Sequence, residues 1–211
     1  MGILDDISNF LQQGRAPKVK VLVQQALDER IDPKEILEQG LLSGMGIIGG
    51  KFKRNEVFVP EVLVAARAMN KGIEILRPYL VQAGVESKGT VVIGAVKGDL
   101  HDIGKNLVKM MMEGSGLKVV DLGVDVSVET FIEAAKENKA SIIACAALLT
   151  TTMGQMKEVV EQVKAAGLRN ELKVMVGGAP ITQHFADSIE ADAYAGDAAT
   201  AAEVALQLCA G

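Results

Sequence analysis

The chain has 211 residues, a formal net charge of −5, 3% aromatic residues and no Trp. This balance argues against a nucleic-acid surface, which needs a basic patch and usually stacking rings, and points to small-molecule and protein partners. A hydrophobic content of 49% supports the cores of two modest domains, while the longest apolar run, Ile142 to Leu149, is far short of the about 20 residues a membrane helix requires.

In chain order, Met1 to Asp6 carries acidic residues where a signal peptide would be basic, and Asp6 stands where a myristoylation signal has Ser or Thr. A cytoplasmic protein is expected. Cys145 and Cys209 form no CxxC pair, fit a reducing compartment, and neither reads as a nucleophile.

The signals over 1–84 predict four helices. Val19, Leu22, Val23, Ala26 and Leu27 form an apolar stripe, and Asp32-Pro33-Lys34-Glu35 reads as an N-cap, a first-turn Pro and an acidic first turn. From Pro60, the residues Val62, Ala66, Met69, Ile73, Leu76 and Leu80 make the seam of an antiparallel bundle and are assigned to packing. Between them, Gly40 to Phe52 holds five glycines in a helical pattern, each costing about 1 kcal/mol relative to Ala in a helix interior. Either another helix backbone or a broad, flat ligand comes close there.

After Gly84, residues 85–88 read as a linker, and from residue 89 strands alternate with helices. Strands are predicted at Thr90–Val96, Lys118–Asp121, Ser141–Ala146, Lys173–Val176 and Asp192–Ala195. Helices are predicted at Asp102–Glu113, Val128–Asn138, Met153–Ala166, Gln183–Ile189 and Ala199–Leu208. The fold class is α/β, a helical bundle of four helices followed by a flavodoxin-like sheet of five parallel strands.

Asp99-Leu100-His101-Asp102-Ile103-Gly104 lies between the first strand and its helix, a D-x-H-x-x-G turn at a strand's carboxyl end, where open α/β sheets hold ligands. His101 can offer one ring nitrogen to a metal while Asp99 takes the proton on the other. A His–Asp pair that only holds the junction together is the alternative. A phosphate loop built on Gly98 and Gly104-Lys105 is rejected: the glycine spacing is wrong, Asn106 replaces the magnesium-binding Ser or Thr, and Asp99 and Asp102 would repel phosphate. His184 reads as a solvated side chain at the start of a surface helix.

Three further loops fall on the same sheet edge: Asp121-Leu-Gly123-Val-Asp125, Ala146 to Thr152, and Gly177-Gly178-Ala179. The paired glycines make a tight turn or leave room for a ligand tail. Thr152 with Gln155 reads as a capping box.

Taken together, these motifs make the chain resemble the corrinoid-binding (cobalamin-binding) module of methyltransferases, as in cobalamin-dependent methionine synthase and the small methyl-carrying corrinoid proteins. The resemblance covers nearly the whole chain. It implies a cobalamin or related corrinoid in the base-off, His-on form, with His101 as the lower cobalt ligand, Asp99 bonded to it and Thr152 extending that relay. Gly98, Leu100, Asp102, Ile103 and Gly104 would line the cofactor around this turn. The resemblance makes 1–84 a cap over the upper face, where Phe52 and Val59 shield the methyl group and Glu38 is a polar contact, and makes 89–211 the cobalamin-binding domain. It also places Gly123, Thr150, Gly177, Gly178 and Ala198 at the cofactor. Ala146 and Leu148 stand where the family commonly has an S-x-L motif, and the Ala at its first position leaves the lower base of the native corrinoid open.

The implied function is a methyl carrier, without catalysis of its own, between a substrate-specific methyltransferase and a second methyltransferase serving tetrahydrofolate or a thiol, with a reductive activation protein as a further partner. An adenosylcobalamin-binding mutase small subunit would typically lack the helical cap, and a B12-sensing regulator would need an effector domain.

Overall fold

The computed structural model describes residues 2–210. The chain divides into two compact units, Met1–Ser87 with Gly114–Gly116, and Lys88–Glu113 with Leu117–Gly211. Between the last helix of the first unit and the first strand of the second, residues 85–89 carry neither helix nor strand.

The helical unit consists of four rods. They are α1 (Ile3–Gln12), α2 (Ala16–Asp28), a continuous third rod and α5 (Val59–Gln82); the third rod is α3 (Pro33–Glu35), a π-helical stretch (Ile36–Leu42) and α4 (Ser43–Lys53). The Asp32 carboxylate caps α3, accepting from the Lys34 N–H at 2.7 Å and the Glu35 N–H at 3.4 Å. Val19, Val23 and Ala26 of α2 and Val62, Ala66, Met69 and Leu76 of α5 are buried as their spacing predicts; Ile73 and Leu80 are only half-buried. Burying each large apolar side chain contributes roughly 1.5–3 kcal/mol.

The π stretch is a departure from the helical expectation. Its wider turn places Ile36, Gly40 and Leu41 in the core, and π-turns inside helices recur at functional sites. A Cβ on Gly40 would lie 3.0 Å from the Ile7 side chain and one on Gly44 3.0 Å from the Ser8 carbonyl, so these two glycines let α1 approach. A Cβ on Gly46 would meet nothing within 4 Å, and helix packing does not account for it.

The second unit is a parallel sheet of β1 (Thr90–Ala95), β2 (Lys118–Asp121), β3 (Ile142–Ala146), β4 (Lys173–Gly177) and β5 (Ala193–Ala195), in the order β2-β1-β3-β4-β5. This is the flavodoxin-like order. The central register pairs Val92 with Ile143 and Ile143 with Val174. The helices are α6 (Ile103–Gly114), α7 (Val128–Glu137), α8 (Met153–Ala165), α9 (Gln183–Ser188) and α10 (Ala198–Ala210). Residues 91–95 of β1 are buried throughout, which is why the run reads as continuously apolar rather than alternating. Phe131 of α7 and Met156, Val159 and Val163 of α8 pack with Val92, Ile143 and Val174 in one core layer. Cys145 lies in that layer, where burial pushes its thiol up to about 12 and denies it a nucleophile's role.

The chain leaves β1 for β2 on one side and β3 for β4 on the other, so the crossovers part at the carboxyl ends of β1 and β3. That parting is the crevice in which open α/β sheets hold ligands. The D-x-H-x-x-G turn follows β1, and Leu148 to Thr152 follow β3. No helix among the described residues is long and apolar enough to cross a membrane.

Candidate functional site

The site is organised by one buried carboxylate. Asp99 is 0% exposed, and both its oxygens are fully engaged. Oδ1 accepts from the His101 backbone N–H at 3.1 Å and meets His101 Nδ1 at 2.8 Å. Oδ2 accepts from the N–H groups of Leu148 at 2.8 Å and Leu149 at 3.2 Å and from the Thr152 hydroxyl at 2.9 Å. Asp99 therefore ties the loop after β1 to the loop after β3 across the crevice. Burial alone would make the carboxyl a weaker acid, but the bonds from Leu148, His101 and Thr152 outweigh it and hold the carboxyl well below the usual carboxylate range.

An ionised Asp99 can only accept, so the hydrogen-bond network assigns the proton to Nδ1 of His101. Nε2 is then the basic nitrogen of the ring. The His101 side chain is 49% exposed, and the residues that follow Asp99 in both loops are exposed and apolar: Leu100 at 70%, Ile103 at 78%, and Leu148 and Leu149 at 45% and 40%. Exposed apolar side chains flanking a single imidazole favour a ligand with a broad apolar face.

Two observations test whether a corrinoid fits. Among the described residues no group of three or more His, Cys, Asp or Glu could hold a metal ion, so a metal at His101 must bring most of its ligands with it, as a macrocycle does. Gly104 is exposed, in the first turn of α6, and a Cβ there would meet nothing within 4 Å. Ala would serve the helix better by about 1 kcal/mol, and no protein contact calls for the smaller residue. The residues fit the group.

The capping-box reading of Thr152 is corrected. Thr152 precedes α8 but makes no side-chain cap; its hydroxyl lies 2.9 Å from both Asp99 Oδ2 and the Leu149 carbonyl oxygen. The short 3-10 turn Thr150–Thr152 aims it back at Asp99 instead of along the helix.

The remaining residues singled out in the sequence fall as follows. Gly98, Asp102 and Thr150 are exposed beside the His101 turn or in the loop after β3, and Gly123 has φ +84 in the loop after β2. Ala146 and Gly177 end β3 and β4 and are paired in register. Gly178 has φ +135, and a Cβ there would fall 1.8 Å from the Ala147 carbonyl oxygen, so protein backbone alone demands this glycine. Ala198 is buried at the start of α10. Glu38 lies in the π stretch, 3.9 Å from Lys34, and Phe52 in α4 and Val59 at the start of α5, both half-buried, belong with it to the helical unit.

A family model described as B12 binding domain matches residues 89–206, and a second B12 binding domain model matches residues 3–77. The chain belongs to the B12-binding family. It is 49% identical over 181 residues to trimethylamine corrinoid protein 1 of Methanosarcina acetivorans, covering 85% of this chain and 83% of that one. Among solved structures it is similar to the methanol:cobalamin methyltransferase complex MtaBC from Methanosarcina barkeri, with a TM-score of 0.89, 32% identity, and coverage of 99% of this chain and 80% of that one. A cobalamin-binding protein from Desulfitobacterium hafniense gives a TM-score of 0.80 at 29% identity, covering 97% and 98% of the two chains.

Sequence reading missed two residues of this cluster. Leu149 reaches Asp99 through its backbone N–H, which no side-chain identity announces. Lys105, read only as a residue of a rejected phosphate loop, is buried with its side chain 2% exposed and its Nζ 2.5 Å from Asp121 Oδ1. The signal available was a Lys immediately behind the motif glycine.

Proposed function

We propose that this chain is a corrinoid methyl carrier in which His101 Nε2 is the lower ligand of cobalt, in the base-off, His-on form. The observation that carries the reading is a half-exposed imidazole whose Nδ1 is held by a buried, ionised carboxylate. When bound, the corrinoid supplies a cobalt able to accept, carry and give up a methyl group. The chain's own residues do the rest. Asp99 keeps the proton on Nδ1 and so keeps the lone pair on Nε2, and the Thr152 hydroxyl and the Leu148 and Leu149 N–H groups keep Asp99 ionised. Leu100, Ile103, Leu148 and Leu149, exposed around His101, would exclude water from the imidazole once the corrinoid is bound.

Gly98, Asp102, Gly104, Gly123, Ala146, Thr150, Gly177, Gly178 and Ala198 contact the cofactor in this reading. The helical unit, 1–84, caps the upper face through Glu38, Phe52 and Val59. Residues 85–88 are the hinge that lets the cap move aside, since a shielded methyl group cannot reach a second protein. Residues 89–211 hold the cofactor.

The partners are a substrate-specific methyltransferase, a second methyltransferase that passes the methyl group to tetrahydrofolate or a thiol, and a reductive activation protein, all in the cytoplasm. The higher identity to a trimethylamine corrinoid protein than to the methanol complex favours a methylamine as donor. The test is an absorbance spectrum of the cobalamin-loaded protein, its cobalt first reduced to cobalt(I) by an added chemical reductant, before and after addition of trimethylamine or methanol with the matching methyltransferase. Conversion to the methylated spectrum with trimethylamine is the expected result; no conversion with any donor, on a protein that holds its cofactor, would overturn the carrier reading.

A further inference from the structure

The loop after β2 runs on beside the end of β1 in the parallel sense, with Val126 bridged to Val96. The Leu122 N–H donates to the Ile93 carbonyl at 2.8 Å, the Ala95 N–H to Gly123 O at 3.0 Å and the Val126 N–H to Ala95 O at 3.0 Å. Both ends of this run are pinned. At its start the buried Lys105 Nζ donates to Asp121 Oδ1 at 2.5 Å and to Asn106 Oδ1 at 2.8 Å, while the same Asp121 oxygen accepts from the Gly123 N–H at 2.9 Å. At its end the Asp125 N–H donates to the Asp99 carbonyl at 3.0 Å, and Asp125 Oδ1 accepts from the Gly98 N–H at 2.7 Å.

Asp125 makes these bonds from φ +55, and Gly98 has φ +82. A left-handed backbone is unfavourable for most residues with a Cβ and is tolerated best by Asn and Asp, so the two contacts hold a conformation the chain would not adopt unaided. Among the described residues, Asp125 is the side chain that accepts a bond from the peptide groups between Val96 and Asp99.

We infer that Asp125 is a positioning residue for the corrinoid site: with Lys105 and Asp121 fixing the loop's start, its carboxylate latches the turn on which Asp99 and His101 are presented. The inference rests on the corrinoid reading of His101 for its functional consequence, but the latch itself is a property of the protein without cofactor. Lys105 is itself buried in its ion pair with Asp121, so replacing either partner disturbs packed structure, whereas Asp125 is exposed and can be changed without disturbing the core.

The test uses the full-length protein. In the cofactor-free form, Asp125→Ala should speed hydrogen exchange at the Gly98 amide about tenfold, as loss of a charge-assisted bond implies, while amides of β4 keep their wild-type rates. In the cobalamin-loaded form, the share of cobalt(II) showing nitrogen coupling from His101 should fall at equal cofactor occupancy. Asp125→Asn keeps an acceptor and the left-handed backbone, and should restore both readouts. A wild-type Gly98 exchange rate in Asp125→Ala, or an unchanged nitrogen-coupled share, would overturn the inference. Because exchange is read without cofactor, a protein that fails to bind cobalamin at all would sink the corrinoid reading while leaving the latch measurable.

Discussion

Asp99→Asn is expected to lower corrinoid affinity about 10–100-fold while leaving the protein folded. The carboxylate's Oδ2 side faces two obligate donors, the Leu148 and Leu149 N–H groups, and the Oδ1 side faces one, the His101 N–H. An Asn side chain therefore turns its carbonyl oxygen to the Oδ2 position and its NH2 group to His101. Nδ1 of the imidazole must then accept rather than donate, which moves the ring proton to Nε2. A protonated Nε2 has no lone pair for a metal. The substitution thus acts through the tautomer of its neighbour, with its shape nearly unchanged. Titration of the variant with cobalamin checks it; wild-type affinity would show that the proton on Nδ1 is immaterial to binding.

Gly178→Ala should destabilise the sheet-bearing unit by about 3 kcal/mol or more, combining backbone strain with a steric clash that rigid backbone cannot relieve. The Ala147 carbonyl oxygen would be 1.8 Å from the new Cβ and φ is +135. Relief requires β3 and β4 to part where Ala146 pairs with Gly177, and this also displaces the Leu148 N–H from Asp99. Calorimetry should place the unfolding temperature lower by about 6–12 °C, taking about 2–4 °C per kcal/mol for a chain of this size. An unchanged transition would mean that the loop after β4 has room the geometry denies it.

Much of the fold was legible because its signals are periodic. The buried run at Val91 to Val96, the seam along α5 and the cap at Asp32 each state a backbone conformation in the identities of adjacent residues. The π stretch was not legible, since inserting one residue into a helical turn leaves the same composition and depends on how Ile36 and Leu41 both reach the core. At the site, Asp99 and His101 lie two residues apart and announce each other, and the 2.8 Å contact between them is local. What holds Asp99 ionised comes from some fifty residues away and partly from backbone groups, which only the sheet order brings near. Thr152 shows the limit most plainly: its spacing to Gln155 fits a capping box, yet a carboxylate from another loop offers its hydroxyl a charged acceptor, and a charge-assisted bond is stronger than a neutral cap.

The central claim is that His101 Nε2 is the nitrogen ligand beneath cobalt, and it is tested most directly by electron paramagnetic resonance of the cobalt(II) form of the cobalamin-loaded protein. Wild type should show coupling to one axial nitrogen, retained when a cobalamin analogue lacking its own nucleotide base is bound and lost in His101→Ala. Nitrogen coupling that persists unchanged in His101→Ala with that analogue would contradict the account.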